Sequence, residues 1–417
     1  MNSVFGDFLV KICLIAPSIL ETPPKYGGAI ETFTYELGVS LSKLNNEVII
    51  LSRSNVTRKV RINPNLTIYF LHIPNNSLIR GVVYNVRIII KLINQKSLDI
   101  LHTQSTAIFP GVFLVSRLFG IPVVHTEHIV HPWIKTPFIT LFKKIKFPFE
   151  LFLGKFTAKR VGKIVVSNEF MKRALESIDS KLSLKFEIIS QGINVKLFNL
   201  NLNKNLIRRK FNLLDTDKLI LYVGRIVPEK NLEILFNSFI KLKIQYANLK
   251  LMLVGPESPK YQTDIRSKDI SKYYLKLKSL VQGKNLQNSI IFTGSLPYHE
   301  TPYYYASSNL LVQPSPIETF GRAIFEAAAV GTPFIGSQIG KFPPKYLPKS
   351  SGIFLRKMDS ENLSAAIETI LNNENEFRIN GIEEARKIHA QYNWENIAEF
   401  YLEVYKKLIK KKYKNRV

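Results

Sequence analysis

Residues 219–230 of the chain read LILYVGRIVPEK. The apolar run predicts a buried strand, Gly224 predicts a tight turn, and the following residues predict a helix whose first turn includes Lys230. Arg225 and Lys230 would then lie near the carboxyl end of a strand and the N-terminus of a helix, where backbone N–H groups attract anions. The stretch therefore suits a diphosphate, and a solvated basic turn is the alternative.

Similar apolar runs recur along the chain and alternate with segments of helical period. In the first half the β-rich runs are 10–16, 47–51, 66–73, 99–102, 122–125 and 163–167. Helix-like segments lie between several of them, at 30–44, 82–94 and 107–119. The second half has runs at 219–223, 249–254, 290–293, 310–313 and 333–336. This alternation predicts an α/β fold with two doubly wound domains and parallel sheets.

The segment 194–210 is rich in asparagine and basic residues and has little periodicity, as is typical of an exposed connection. We place the domains at 1–200 and 201–390, followed by a C-terminal helix and basic tail at 391–417. Ligands of open α/β sheets bind beyond the carboxyl ends of the strands. Two such domains facing each other would enclose a cleft between them.

Composition excludes several classes of protein. The chain has 417 residues, of which 46% are apolar, so it can bury a large core and is not mainly disordered. Its single cysteine, Cys13, excludes an internal disulfide or a cysteine-rich zinc domain and fits a reducing compartment. The apolar stretch 9–20 is interrupted by Lys11 and Pro17, and is predicted to be a buried strand rather than a signal peptide.

The chain is strongly basic, with 58 lysines and arginines against 32 acidic residues and a net charge of +26. A charge of this size is compatible with nucleic acid, anionic lipid or phosphorylated ligands.

A second motif is found at 313–333, which reads QPSPIETFGRAIFEAAAVGTP. It predicts a strand end, a loop, and a helix from about residue 320 to 330. Glu318 would lie in the loop and Glu326 inside the helix, so both carboxylates could face one ligand and bind sugar hydroxyls. The alternative is structural: Glu318 caps the helix and Glu326 pairs with a surface cation.

Five motifs in order give the sequence a resemblance to the retaining glycosyltransferases of glycosyltransferase family 4, which have the GT-B fold of two facing Rossmann-like domains. The matching residues are Gly27 to Glu31 (glycine-rich loop), Asp99 and His102, Thr126 and His128, Gly224 to Lys230, and Glu318 with Glu326.

The resemblance implies roles for particular residues. Those implied as catalytic are His128, Arg225, Lys230 and Glu318; those implied as donor-binding are Gly27, Gly28, Gly224, Phe320, Gly321, Arg322 and Glu326. The donor would be a nucleotide sugar, with Arg225 and Lys230 stabilising the charge of the leaving diphosphate. Glu318 would hold the transferred sugar, Glu326 the ribose hydroxyls, and His128 the donor sugar near the reacting centre.

The resemblance also implies how the rest of the donor is held. Amides around 320–322 would cradle donor oxygens, and Gly28 would let the backbone approach the diphosphate. Enzymes of this fold generally need no divalent metal, so we expect no metal site and no cofactor. His125 is the alternative to His128, and His102 is a candidate structural residue.

Two departures from the family pattern affect these expectations. The family's Asn-Gly-x-Asp segment appears as QGIN at 191–194, where Asn194 replaces a carboxylate. Its Gly-Gly-x-x-Glu loop appears as GKFPP at 340–344, where Pro344 replaces the acid. Altered donor contacts or weakened transfer are the two outcomes that these changes suggest.

The acceptor side is predicted from the segment 135–163, in which phenylalanines are interleaved with lysines. Such a segment could lie on an anionic membrane, or could pack its rings on the sheet with a solvated lysine face. Residues 392–394 begin a segment similar to the family's C-terminal helix, which returns to the first domain.

The sequence thus predicts a retaining hexosyltransferase that moves a sugar from a nucleotide sugar to a glycan or lipid-linked acceptor and forms an α-linkage. The expected location is the cytoplasm, with peripheral binding to the inner face of the cell membrane as the second option. The rival hypotheses are a sugar-nucleotide epimerase or hydrolase of the same fold, and a non-catalytic basic protein that binds nucleic acid or polysaccharide. The paired motifs disfavour nucleic acid, because a charge-driven binder has no need for Glu318 and Glu326.

Overall fold

The computed structural model describes residues 9–74, 77–95, 97–129, 141–177, 179–256, 267–316, 318–337 and 350–414. These residues form two compact units. The first contains the chain up to Pro24, residues Gly28–Gly192, and the chain from Trp394 onward. The second contains Lys25–Gly27 and Ile193–Asn393.

The first unit contains a sheet of eight strands. The strands are β1 Lys11–Ile15, β2 Glu47–Ser54, β3 Arg58–Asn63, β4 Leu66–His72, β5 Ile100–Thr103, β6 Val123–Glu127, β7 Lys163–Val166 and β8 Phe186–Ile188. The helices are α1 Ala29–Lys43, α2 Ser77–Ile93, α3 Phe109–Phe119, α4 Leu141–Arg160, α5 Glu169–Glu176 and α13 Trp394–Lys414. The strand order is β3-β4-β2-β1-β5-β6-β7-β8, parallel except for the β3–β4 pair.

The second unit contains a parallel sheet of six strands in the order β11-β10-β9-β12-β13-β14. The strands are β9 Lys218–Val223, β10 Leu249–Val254, β11 Ile290–Gly294, β12 Leu310–Gln313, β13 Phe334–Ser337 and β14 Gly352–Leu355. The helices are α6 Asn205–Lys210, α7 Leu232–Gln245, α8 Ser267–Gly283, α9 Thr301–Ser307, α10 Arg322–Ala329, α11 Ser360–Asn372 and α12 Glu374–Tyr392.

The predicted α/β architecture is confirmed, because both sheets are of the doubly wound type with helices connecting parallel strands. All eleven predicted apolar runs contain strands. The sequence analysis missed β3, an exposed antiparallel strand with the sequence RKVRIN, whose basic residues hide any apolar alternation. It also missed the short strands β8 and β14.

Apolar side chains fill the space between each sheet and its helices. In the first unit, Cys13 and Ile15 of β1 pack with Tyr84 and Ile88 of α2 in one such core. Helix α13 packs against α1, where Trp394 meets Phe33 with ring centroids 5.3 Å apart. No helix within the described residues has the length and apolarity needed to cross a bilayer.

Candidate active site

Strand β9 positions the first motif at its carboxyl end. The chain leaves β9 at Gly224, whose carbonyl oxygen would lie 1.9 Å from a Cβ atom on Gly255, so this approach of two loops requires glycine at 255. The predicted first helical turn is instead a separate 3-10 turn, Pro228–Lys230, and α7 begins after it. Lys230 is thus held just before the helix rather than within it.

Lys230 is paired with Glu318 from the second motif. Its Nζ lies 2.5 Å from Glu318 Oε1, and both side chains are about three quarters buried. Glu318 therefore does not have the alternative role of helix cap. The N-cap residue of α10 is instead Gly321, which has a φ of 77° and gives no side-chain cap. The structure brings the two predicted motifs together at this ion pair.

Tyr222 of β9 lies close to charged residues of both motifs. It is fully buried, and its hydroxyl donates to the carbonyl oxygen of Arg225 at 2.8 Å. Burial raises the pKa of Tyr222 well above its usual value, the Glu318 carboxylate raises it further, and the Arg225 guanidinium lowers it. Both charged groups therefore lie close enough to act on the same phenol, and Arg225 itself is exposed to solvent.

Glu326 is buried in α10 with both carboxylate oxygens engaged. Arg322 Nε donates to Oε1 at 2.8 Å, and the Tyr305 hydroxyl donates to Oε2 at 2.9 Å. Arg322 also donates to the Tyr298 hydroxyl at 2.8 Å. Burial lowers the pKa of Arg322, but Tyr298 and Glu326 outweigh that effect and the net pKa is raised. The alternative predicted for Glu326, pairing with a cation, is thus present, although the partner is largely buried, with 17% of its side chain exposed.

Phe320 and Gly321 have different parts in building the loop. The Phe320 side chain is 2% exposed and packs edge-on against Phe325, with centroids 5.2 Å apart, so it belongs to the core. Gly321 lies in the left-handed region, which lets the chain turn into α10, and its carbonyl accepts the Phe325 N–H at 3.0 Å.

The glycine-rich loop lies just before α1. Gly27 and Gly28 have φ values of 61° and 75°, and a Cβ on Gly28 would lie 2.9 Å from two carbons of Pro24. Thr32 N–H donates to the Gly28 carbonyl at 2.8 Å. Glu31, in the first turn of α1, is 5% exposed, and burial raises the pKa of its carboxyl to about 7.

His128 follows β6 and is held by a residue that the sequence analysis did not select. Its Nε2 lies 2.7 Å from Gln104 Oε1, and its ring packs edge-on against Phe33. The Gln104 amide nitrogen lies 3.2 Å from His102 Nε2. Gln104 comes two residues after His102 at the end of β5, so the period of a strand could have indicated it.

His102 has the structural role that was the expectation for it. It is fully buried, with Nδ1 at 2.6 Å from the Tyr405 hydroxyl and Nε2 at 2.7 Å from Thr126 Oγ1. Burial, followed by His125 and His128, lowers its pKa well below the usual value, so the ring is neutral. A neutral ring that accepts at Nε2 from Gln104 and Thr126 donates from Nδ1 to Tyr405.

His125, the alternative to His128, lies inside the sheet. It is 3% exposed, with Nδ1 at 2.9 Å from Thr103 Oγ1 and Nε2 at 3.6 Å from Glu127 Oε2. This burial leaves His128, which is half-buried, as the histidine at the strand end that a ligand can approach.

Two family models match consecutive parts of the chain. The model described as Glycosyltransferase Family 4 matches residues 26–197, and the model described as Glycosyl transferases group 1 matches residues 203–388. Together they contain all five motifs and every strand of the two sheets except β1. The chain belongs to glycosyltransferase family 4.

Curated relatives of this family 4 glycosyltransferase are distant in sequence. The lipopolysaccharide 1,2-N-acetylglucosaminetransferase of Salmonella typhimurium is 24% identical over 93% of this chain and 96% of its own. An uncharacterized glycosyltransferase of Methanocaldococcus jannaschii is 27% identical over 58% of this chain. The match spans 59% of the length of that second relative.

Solved structures confirm the GT-B fold of the glycosyltransferase. Sucrose-phosphate synthase from Thermosynechococcus elongatus superposes with a TM-score of 0.80 at 23% identity, over 96% of this chain and 99% of that one. The HepE protein of Anabaena, solved in complex with UDP and glucose, gives a TM-score of 0.70 at 14% identity, over 95% of this chain and 99% of that one.

One of the two departures from the family pattern lies among the described residues. Asn194 Oδ1 accepts the backbone N–H groups of Lys196 and Leu197, at 3.2 and 3.3 Å. An amide oxygen makes these bonds as a carboxylate would, so Asn194 preserves the local turn. Pro344 lies outside the described residues.

No cluster of three or more metal-ligating side chains is present in the part of the chain that the structure describes. Asp215 and Asp217 are two acidic residues close together in the sequence. They lie in a turn, where Asp217 Oδ2 accepts the Leu214 N–H at 2.8 Å.

Proposed function

We propose that this enzyme transfers a hexosyl group from a nucleotide sugar to an acceptor hydroxyl, with retention of configuration, and forms an α-linked glycan or glycolipid. The observation that carries this proposal is the Lys230–Glu318 ion pair beside Arg225. Family membership supplies the reaction class, and this group of charges supplies a suitable place for the donor.

Lys230 and Arg225 are assigned to the diphosphate. As the bond from the sugar C1 to the phosphate oxygen breaks, negative charge accumulates on the leaving nucleoside diphosphate. Lys230 lies at the carboxyl side of β9, where Glu318 holds its ammonium group until the donor arrives. Arg225 is exposed at the same strand end and supplies a second cation.

Glu318 is assigned to the transferred sugar. When Lys230 turns to the diphosphate, the Glu318 carboxylate becomes available to accept hydrogen bonds from sugar hydroxyls. In a same-face displacement the acceptor oxygen bonds to C1 as the C1–phosphate bond breaks, and the acceptor proton passes to the leaving phosphate. Protein cations then supply the charge neutralisation that a metal would give, in line with the expectation of metal-independent transfer.

Glu326 is assigned to the ribose hydroxyls, in addition to its hydrogen bonds with Arg322 and Tyr305. A carboxylate has about four acceptor positions, and Arg322 and Tyr305 use two of them. The remaining positions suit a vicinal diol. Amides at 320–322, the turn at Gly27 and Gly28, and the separate turn at Gly224 are assigned to donor oxygens, because glycine permits close backbone approach.

His128 is assigned to the donor sugar, with Gln104 as its positioning residue. Because Gln104 Oε1 accepts the hydrogen bond, the His128 proton resides on Nε2 and Nδ1 is the acceptor. The Gln104 amide in turn donates to the neutral His102, which fixes the direction of the whole chain of hydrogen bonds.

For the nucleotide of the donor and for the acceptor, only the chemical class is proposed. The UDP and glucose bound to the Anabaena protein support a nucleoside-diphosphate sugar as donor. The acceptor is proposed to be a glycan or a lipid-linked hydroxyl, met in the cytoplasm at the inner face of the membrane. Segment 135–163 is proposed to contribute to the membrane contact; its residues 135–140 lie outside the described residues.

The test is a thermal-shift screen of nucleoside diphosphates and nucleotide sugars, followed by a transfer assay with the donor that binds. A ligand that binds only the native state raises the melting temperature. We expect Lys230→Ala to remove the shift, and Lys276→Ala, which breaks the exposed ion pair with Glu233 in the same unit, to retain it.

Sugar transferred to an added acceptor supports the proposal, whereas release of free sugar alone would indicate a hydrolase. A charge-driven binding protein would instead show no thermal shift with any nucleotide, and its binding to nucleic acid or polysaccharide would fall steeply with salt.

A further inference from the structure

Helix α2 has an apolar stripe on the side that faces away from its core. Tyr84, Ile88 and Leu92 point inward and are at most 2% exposed. Five large aliphatic side chains lie on the opposite side, between 48% and 68% exposed: Ile79, Val82, Val86, Ile90 and Ile93. Helices on the outside of a sheet normally present polar residues to solvent, so a second apolar stripe predicts a further contact.

The stripe continues onto the neighbouring helix α3. Gly111 N–H donates to Asn85 Oδ1 at 2.9 Å, and Asn85 donates to the Ala107 carbonyl at 3.1 Å, which holds the two helices side by side. On α3, Leu114 and Leu118 are 48% and 64% exposed. The two are four residues apart, so they lie on the same side of α3.

Helix α4 extends the same surface. The Phe156 ring lies edge-on to Phe113 of α3, with centroids 5.4 Å apart, which fixes α4 beside α3. Phe149 and Phe152 of α4 are more than 60% exposed. We name the whole set the apolar outer face: Ile79, Val82, Val86, Ile90, Ile93, Leu114, Leu118, Phe149 and Phe152.

The three helices that carry the apolar outer face are strongly basic. Their sequences contain ten basic residues and one acidic residue, Glu150. The basic residues are Arg80, Arg87, Lys91, Arg117, Lys143, Lys144, Lys146, Lys155, Lys159 and Arg160. A second copy docked through the same face would bring two such sets of positive charge together. An occupant with an apolar interior and a negatively charged surface would match both the exposed apolar side chains and the positive charge of these helices.

We propose that the apolar outer face of α2, α3 and α4 docks on the surface of an anionic lipid bilayer, with its aliphatic and aromatic side chains in the interface and its basic residues at the head groups. This geometry follows from the physics of interfacial helices, in which apolar burial and attraction to anionic lipid add together. The inference deepens the membrane part of the proposed function and extends it beyond segment 135–163 to α2 and α3. It does not depend on the assignments of catalytic residues.

The experiment measures vesicle binding of the full chain by flotation. The probes are vesicles of phosphatidylcholine alone and of phosphatidylcholine with about 30 mol% phosphatidylglycerol. We expect binding to the anionic vesicles only, weakened by about 0.5 M NaCl. The triple variant Val86→Ser, Ile90→Ser, Leu118→Ser is expected to bind at least about tenfold more weakly, because less apolar surface enters the interface.

Two matched controls separate this face from general properties of the chain. Ile244→Ser, Leu275→Ser, Ile379→Ser removes three apolar residues at least 60% exposed from the second unit and is expected to leave vesicle binding unchanged. Arg87→Glu, Arg117→Glu, Lys155→Glu is expected to lose binding, whereas Arg209→Glu, Lys241→Glu, Lys284→Glu, at exposed second-unit positions, is expected to lose much less.

Several results would overturn the proposal. The first is that the unmodified chain does not bind anionic vesicles, and the second is that the serine variant binds them equally well. The third is that the unmodified chain forms a dimer and does not bind vesicles, while the serine variant is monomeric. Melting curves confirm that each variant is folded, and the donor thermal shift is measured without vesicles. Failure of vesicle binding with an intact donor shift therefore contradicts this inference and the proposed membrane contact but not the proposed sugar transfer. Failure of the donor shift contradicts the proposed transfer and leaves this inference unaffected.

Discussion

Lys230 Nζ lies 2.5 Å from Glu318 Oε1, although 88 residues separate the two in the chain. The pair joins a cation that follows β9 to a carboxylate that precedes α10. Both are candidates for contact with the donor, and in the absence of donor each neutralises the other. Donor binding therefore competes with an ion pair, and this competition has a measurable consequence.

Substituting either partner should change nucleotide affinity in opposite directions. Lys230→Ala removes a charge-assisted contact, so the Kd for the bound nucleoside diphosphate should rise about tenfold or more. Glu318→Gln frees Lys230 from its competitor, so the Kd should fall, while the transfer rate drops by about 100-fold or more. Titration calorimetry and a transfer assay measure the two effects. Equal affinities in both variants would show that the pair lies away from the donor.

Substituting Glu326 by alanine should lower the stability of the protein much more than the same substitution of Glu318. Glu326→Ala leaves Arg322 buried without its carboxylate, so we expect a loss of about 3 kcal/mol in the free energy of unfolding. Glu318→Ala breaks a partly exposed pair and should cost less than about 1 kcal/mol. Urea melts of both variants provide the comparison. Similar losses would mean that the Arg322–Glu326 pair contributes no more than an ordinary surface ion pair.

Gln104 should affect the reaction through the tautomer of His128. Gln104→Leu keeps the approximate size of the side chain but removes the acceptor for His128 Nε2, so the transfer rate should fall about tenfold with little change in the KM for donor. The nitrogen-15 chemical shifts of His128 should move from one tautomer to a mixture. Gln245→Leu, in the second unit, is the matched control. Unchanged histidine shifts would contradict the positioning role.

Glu31 should make the first unit less stable as the pH rises. Burial raises the pKa of its carboxyl from 4.5 to about 7, so the folded state favours the protonated form. The stabilisation is complete below pH 4.5 and is lost by about pH 7, a change of about 3 kcal/mol.

Glu31→Gln should therefore match the unmodified chain near pH 4.5 and exceed its stability above pH 7. Denaturant melts between these pH values test the effect, with the exposed Glu361→Gln in the first turn of α11 as the matched control. A parallel pH dependence in the two Glu31 forms would refute it.

The sequence determined the local elements and the family. Strand runs such as 249–254 coincide with β10, because a buried parallel strand is a continuous apolar run that needs no knowledge of its neighbours. The order of five short motifs, each weak by itself, indicated glycosyltransferase family 4. The polar edge strand β3 was missed because its stability comes from pairing with β4 rather than from its own pattern.

Only the tertiary structure decided which side chains meet. Parallel sheets place strands that are distant in sequence side by side, so the partners of Lys230, Glu326 and His128 could not be inferred from spacing. The same holds for α2, whose sequence is apolar on nearly every side. Periodicity shows that a helix has apolar faces, but the packing of the sheet determines which face is buried and leaves the other exposed.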